Sequence, residues 1–186
     1  MNLSDDDLLR AYLEANPAHH RTVERWPVQG ELEVHLSVAS TLPPAHVSSS
    51  ILAIVLDADL RVLFLHPDTP NGSIAQLLIG GRPEGEERPE ETVVREVGEE
   101  TGWRVDPIKL IGFRHFFHLE PFNPKSDRPY PSFIQPIFAA HAVTFDPKLI
   151  LEADRIPAEF LEYSVAERMT EPGQRPLLVA AVDAMR

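Results

Sequence analysis

Residues 81–103 read GRPEGEERPEETVVREVGEETGW, and their fixed points fall at Gly81, Glu87, Arg95, Glu96, Glu99, Glu100 and Gly102. Pro89 suits a first helical turn, Glu90 and Glu91 sit where the positive end of a helix dipole favours acids, and Gly102 suits a C-terminal cap, so the stretch predicts a helix over 89–101. At about 100° per residue, Glu96, Glu99 and Glu100 share roughly a 100° arc, while Val93, Val94 and Val97 occupy another arc facing away. One face is acidic and one is apolar. Carboxylates three and four residues apart repel, so three in one turn call for an offsetting charge. A hard divalent cation such as Mg²⁺ or Mn²⁺ supplies it, taking oxygen ligands and binding phosphate oxygens alongside. A plain solvated glutamate face is the competing reading for the three acids taken alone, and the match of the flanking residues to a fixed pattern weighs against that.

The spacing G-x5-E-x7-R-E-U-x-E-E-x-G-U, with U apolar, resembles the Nudix box of the Nudix hydrolase superfamily at every defined position. A chance match in a chain this long has a probability on the order of one in ten million. One position beside the box departs from many members: Ile79 stands where they carry proline. The resemblance implies that Glu96, Glu99 and Glu100 bind metal and that Gly81 helps through its backbone. It also implies that Glu87 and Arg95 hold the acids in place, Arg95 as organiser rather than chemist, and that the fold is α/β, an α/β/α sandwich on a mixed β-sheet.

Composition is compatible. A chain of 186 residues with 43% hydrophobic content is expected to form one domain over 1–186, with 1–45 as an N-terminal extension. A net charge of −12 argues against broad nucleic-acid binding, which needs a Lys and Arg surface to displace counterions. With no cysteine, disulfides, thiolate catalysis and cysteine zinc sites are excluded. The acidic start and short apolar runs read as neither signal peptide nor membrane span, so a cytoplasmic location is expected. The expected partner is a small-molecule nucleotide, and a homodimer is compatible with that.

Along the chain, Ser4 followed by three aspartates reads as a capped helix with Leu8, Leu9, Tyr12 and Leu13 as its stripe, stopped at Asn16-Pro17. Strands are expected at 31–38, 51–56, 62–65, 75–79, 109–115 and 133–143, with a hairpin around Asp57-Ala58-Asp59, and helices at 157–169 and 176–185. Residues 121–131, PFNPKSDRPYP, fit neither periodicity and read as a surface loop. It carries Lys125, Arg128 and Tyr130, able to meet phosphate through cations and a base or sugar through an aromatic face, though a solvated connector is the commoner reading of such a loop. His19, His20, His115 and His118 read as surface or packed histidines. A spacing of three sends His115 and His118 to opposite strand faces. Trp26, Phe113, Phe116, Phe117 and Phe122 read as packing, Phe113 most firmly core.

The expected activity is hydrolysis of a phosphoanhydride in a nucleoside diphosphate linked to another moiety, ADP-ribose among the sugar diphosphates. Alternatives are a nucleoside triphosphate pyrophosphohydrolase and a Nudix-like module that senses a nucleotide without cleaving it. An isoprenoid diphosphate isomerase is disfavoured because that family relies on a cysteine. A carboxylate must accept the proton of the attacking water. Glu99 and Glu100 in the box, or Glu120, Glu152, Glu159 and Glu162 beyond it, are the candidates, with Glu152 first because it precedes the helix expected at 157.

Overall fold

The computed structural model describes residues 4–66, 75–151 and 157–186. Its first helix, α1 (Asp5–Ala15), starts where Ser4 Oγ accepts the backbone N–H of Asp7. Strands β1 (His20–Trp26), β2 (Gly30–Val38), β3 (Ile51–Leu56), β4 (Val62–Leu65) and β5 (Ile79–Gly81) lead to α2 (Pro89–Thr101). Beyond it come β6 (Trp103–His118), β7 (Ser132–Phe145), β8 (Ala158–Leu161), α3 (Tyr163–Met169) and α4 (Arg175–Met185).

Among the described residues the strands form one eight-stranded sheet in the order β1-β2-β6-β7-β3-β4-β8, with β5 also paired to β3. The β3–β7 pair is parallel and the rest are antiparallel, so the sheet is mixed. Every residue of β3 is buried because alternate side chains feed two cores. Ile51, Ala53 and Val55 pack with Val93 and Val97 of α2, whereas Leu52, Ile54 and Leu56 join Leu177, Leu178 and Ala181 of α4. A helix layer therefore lies on each face, as the α/β/α expectation required. A third small cluster, Ala39, Val47, Phe113 and Ile134, is covered by Leu9, Tyr12 and Leu13 of α1.

The helix over 89–101 has the expected ends, closed by Gly102 in the left-handed region at φ 78°. Val93 and Val97 are buried as expected, but Val94 is exposed, one step beyond the core-facing arc. The helix expected at 157–169 is corrected. Its first part is β8, which pairs with β4 and places Phe160 edge-on against Trp103, and only Tyr163–Met169 is helical. An otherwise open β4 edge outweighs the local helical pattern there. Strand β1 was not expected, because most of its residues are exposed and HRTVERW shows no apolar alternation. The segment at 75–79 gives an isolated bridge from Gln76 to Leu65, and the strand proper starts at Ile79.

Candidate active site

Strand β5 lies antiparallel to β3, with Gly81 opposite Ile51, and this register brings the glycine beneath α2. A Cβ on Gly81 would run into the Glu96 carboxylate, so the glycine lets that carboxylate lie against the backbone where it now stands. Helix α2 is fixed at its start by Glu91, whose carboxylate accepts from the Arg88 backbone N–H at 2.8 Å and from the Arg88 guanidinium at 3.0 Å.

Arg95 is the hub. Its Nε and Nη2 donate to the two oxygens of Glu87 at 2.8 and 3.1 Å, and its Nη1 donates to Glu96 Oε1 at 2.9 Å and Glu99 Oε2 at 3.1 Å. Nη2 also reaches the carbonyl of Arg82 at 2.7 Å. Paired donors in a fixed planar fork make this guanidinium a template for the acids around it. Arg95, the Glu84 backbone N–H and the Thr92 hydroxyl together hold the Glu87 carboxyl down at about 2. Glu87, then Glu96, strengthens the hold of Arg95 on its proton.

As they stand, no three acidic or histidine side chains among the described residues close on a single ion position. Arg95 engages one oxygen each of Glu96 and Glu99, supplying the positive charge that those carboxylates require. The donor set nevertheless fits a hard divalent cation: it is all carboxylate oxygen with a backbone cradle at Gly81, and contains neither sulfur nor imidazole.

The 121–131 loop is tied to the same place. Asp127 pairs with Arg82, the residue after Gly81, at 2.6 Å. Arg128 Nη1 donates to Ser50 Oγ at 2.8 Å, one residue before the partner of Gly81. Burial, with the charge of Arg82 beside it, loosens the hold of the Arg128 guanidinium on its proton. Lys125 is exposed, and Tyr130 packs edge-on against Phe122 and tilted against His118. Arg82, Asp127, Thr92 and Ser50 escaped the sequence reading. Only Thr92, five residues from Glu87 in the box, left a local signal.

Candidate bases outside the box diverge. Glu120 meets Arg25 at 3.4 Å beside Gly30, Glu159 meets His66 at 2.9 Å, and Glu162 is the cap residue of α3. Glu152 lies outside the described residues. Its predecessor Leu151 lines a cavity of about 220 Å³ together with Arg95, Glu99, Arg104 and Lys148.

The model of the NUDIX domain matches residues 47–180, most of the chain, and the chain belongs to that family. It is a Nudix hydrolase, an enzyme of the pyrophosphohydrolase class, and the family uses divalent metals. Among solved structures, the Bacillus subtilis pyrophosphohydrolase BsRppH is 18% identical, with 83% of this chain and 92% of that one covered at a TM-score of 0.54. A NUDIX hydrolase from Nitrosomonas europaea is 21% identical, with 74% and 90% covered and a TM-score of 0.48. At this identity the likeness to BsRppH speaks for the fold. No curated protein sequence matches the chain. No helix among the described residues is long and apolar enough to cross a membrane.

Proposed function

We propose that this hydrolase cleaves the phosphoanhydride of a nucleoside diphosphate linked to another moiety, a nucleoside diphosphate sugar such as ADP-ribose, with Mg²⁺ or Mn²⁺. The observation that carries this reading is the single guanidinium of Arg95 bound to Glu87, Glu96 and Glu99 above the Gly81 cradle. Glu96, Glu99 and Glu100, with the Gly81 backbone, would hold the cation. Bound there, it supplies charge neutralisation on the diphosphate and a lowered pKa for the attacking water. Glu87 and Arg95 keep the acids oriented so that little reorganisation accompanies reaction. Arg128, Lys125 and Tyr130 sit on the loop anchored beside Gly81 and contact the part of the substrate beyond the scissile bond. The attacking water gives its proton to a carboxylate, with Glu152 as first choice and Glu99 or Glu100 as the alternatives within the box.

Incubation with a panel of nucleotides, with Mg²⁺ and then Mn²⁺, tests the reading through its products. A sugar diphosphate yields a nucleoside monophosphate and a sugar phosphate. Release of pyrophosphate from triphosphates with sugar diphosphates untouched replaces the substrate assignment with that of a triphosphate pyrophosphohydrolase. Binding without any product makes the chain a sensor.

A further inference from the structure

Thr92 lies one turn into α2, fully buried, and three residues before Arg95 on the same side of the helix. Its hydroxyl has one proton to give and two acceptors in reach, Glu87 Oε2 at 3.0 Å and the Arg88 carbonyl at 3.4 Å. That carbonyl already accepts the backbone N–H groups of Glu91 and Thr92 at 2.9 and 3.1 Å, whereas an ionised carboxylate can only accept and holds a donor more strongly. The proton therefore goes to Glu87. Glu87 stands in the loop before the helix, where no backbone ladder fixes it. Its Oε1 takes Nε of Arg95 at 2.8 Å, and its Oε2 takes Nη2 of Arg95 at 3.1 Å, the Glu84 N–H at 2.9 Å and the Thr92 hydroxyl. Both Arg95 and Thr92 reach it from α2, but the arginine does so on a long flexible stem, while a β-branched residue has few rotamers in a helix. Thr92 thus ties the loop carboxylate to the helix wherever the guanidinium lies. The carboxylate in turn fixes the plane of that guanidinium, whose Nη1 meets Glu96 and Glu99.

We propose that Thr92 is a positioning residue of the hydrolytic site: its hydroxyl sets the place of Glu87 and, through Glu87 and Arg95, the orientation of Glu96 and Glu99. It touches neither metal nor substrate. This role rests on the reading that the box acids hold the cation. The competing role is a threonine that caps the preceding turn through Arg88 or only fills space.

Two substitutions separate the hydroxyl from the shape. Thr92→Val keeps the branching and removes the donor, and Thr92→Ser keeps the donor and removes a buried methyl. In the full chain with chelator present, ¹⁵N NMR of the Arg95 Nε–H reads the fork with neither metal nor substrate bound. Hydrogen exchange there is expected to be about fivefold faster in Thr92→Val, the effect of losing about one neutral hydrogen bond, and near the parental rate in Thr92→Ser. Calorimetric titration with Mn²⁺ alone is expected to show affinity about three- to tenfold weaker in Thr92→Val, the low end for partners that orient metal ligands, and restored in Thr92→Ser. Thr92→Ser should keep these values although the lost methyl lowers its Tm, which a role in packing alone would not allow. In the Arg95→Lys background the fork is already gone, so adding Thr92→Val should weaken Mn²⁺ binding by less than about twofold more. Should thermal melts show Thr92→Val misfolded, Thr92→Ala, which also lacks the donor, takes its place. A parent that binds no Mn²⁺ would sink the metal reading and leave the exchange rates to decide Thr92. Unchanged exchange in Thr92→Val, or equal acceleration in Thr92→Ser, overturns the proposal. So does, in a parent that binds Mn²⁺, undiminished affinity in Thr92→Val or the full further loss in the Arg95→Lys background.

Discussion

Arg95 grips Glu87 with two parallel hydrogen bonds, Nε to Oε1 at 2.8 Å and Nη2 to Oε2 at 3.1 Å, while its remaining nitrogen serves Glu96 and Glu99. A lysine cannot reproduce that fork. Arg95→Lys is therefore expected to lower kcat/KM by about 10- to 100-fold, the usual cost of losing a partner that orients metal-binding groups, with the circular dichroism spectrum unchanged. Wild-type kinetics in Arg95→Lys would remove the organising role.

Glu87 adds a pH signature. Its depressed carboxyl contributes stability that is present above its ordinary value near 4.5 and is lost as pH falls towards about 2. Thermal melts of Glu87→Gln should show a lower Tm than the parent at pH 7 and a shallower decline across that acid window. Parallel melting curves for the two proteins would contradict the assignment.

The three box acids make metal removal decisive. Activity is expected to vanish with chelator and to return with Mg²⁺ or Mn²⁺, and Glu99→Gln or Glu100→Gln should cut turnover by about 10² or more, because each removes negative charge where the cation is needed. Calorimetric titration with Mn²⁺ should show weakened binding in the same variants. Full activity in the double substitution would end the metal mechanism.

His115 gives the opposite window from an ordinary surface histidine. Its folded value lies near 4 and its unfolded value near 6.5, so below 6.5 the unfolded chain takes up protons that the folded chain refuses. Stability is complete above pH 6.5 and declines towards pH 4, by up to about 3 kcal/mol. Denaturant titrations of His115→Gln should lack that share of the decline. An identical pH profile in the variant would show that the ring is not held neutral.

How much could be read beforehand depended on distance along the chain. Helix α2 was legible to its ends because Pro89 and Gly102 act on neighbouring backbone, and the acidic arc follows from a period of 3.6. Strand β1 was not, since its pairing with β2 leaves most of its side chains in water and no apolar rhythm in the sequence. Residues 158–161 misled because the edge of β4, which they cover, is remote in sequence. In the site, an organising role for Arg95 was implied by the resemblance to the Nudix box, whereas Arg82 with Asp127 and Arg128 with Ser50 meet only through the pairing of β3 with β5 and the return of the 121–131 loop.

That loop makes its own prediction. Arg128 is half-buried beside Gly81's partner strand, so Arg128→Ala should raise KM several-fold with little change in kcat, the mark of contacts made equally in ground and transition states. Asp127→Ala frees Arg82 and tests whether the loop's anchorage matters, with a smaller rise in KM expected because that pair is largely exposed. Unchanged KM across Lys125→Ala, Arg128→Ala and Tyr130→Ala would make the segment a solvated connector.

The base is the remaining chemical role. Glu120 and Glu159 are engaged by Arg25 and by His66, Glu162 stands at the start of α3 without a side-chain capping bond, and Leu151, immediately before Glu152, shares a cavity wall with Arg95 and Glu99. Glu152 is the proposed acceptor among the acids beyond the box. A general base must come within hydrogen-bond distance of the attacking water, directly or through one further water, and losing it typically costs about 10² to 10⁴ in rate. Glu152→Gln is thus expected to lower kcat by that factor while Mn²⁺ affinity, measured by calorimetry, stays near wild type. Glu99→Gln, by contrast, should lose both, which separates a proton acceptor from a metal ligand. If Glu152→Gln, Glu159→Gln and Glu162→Gln each keep near wild-type kcat, the proton goes to the box helix or to Glu120, and Glu152 has no part in the chemistry.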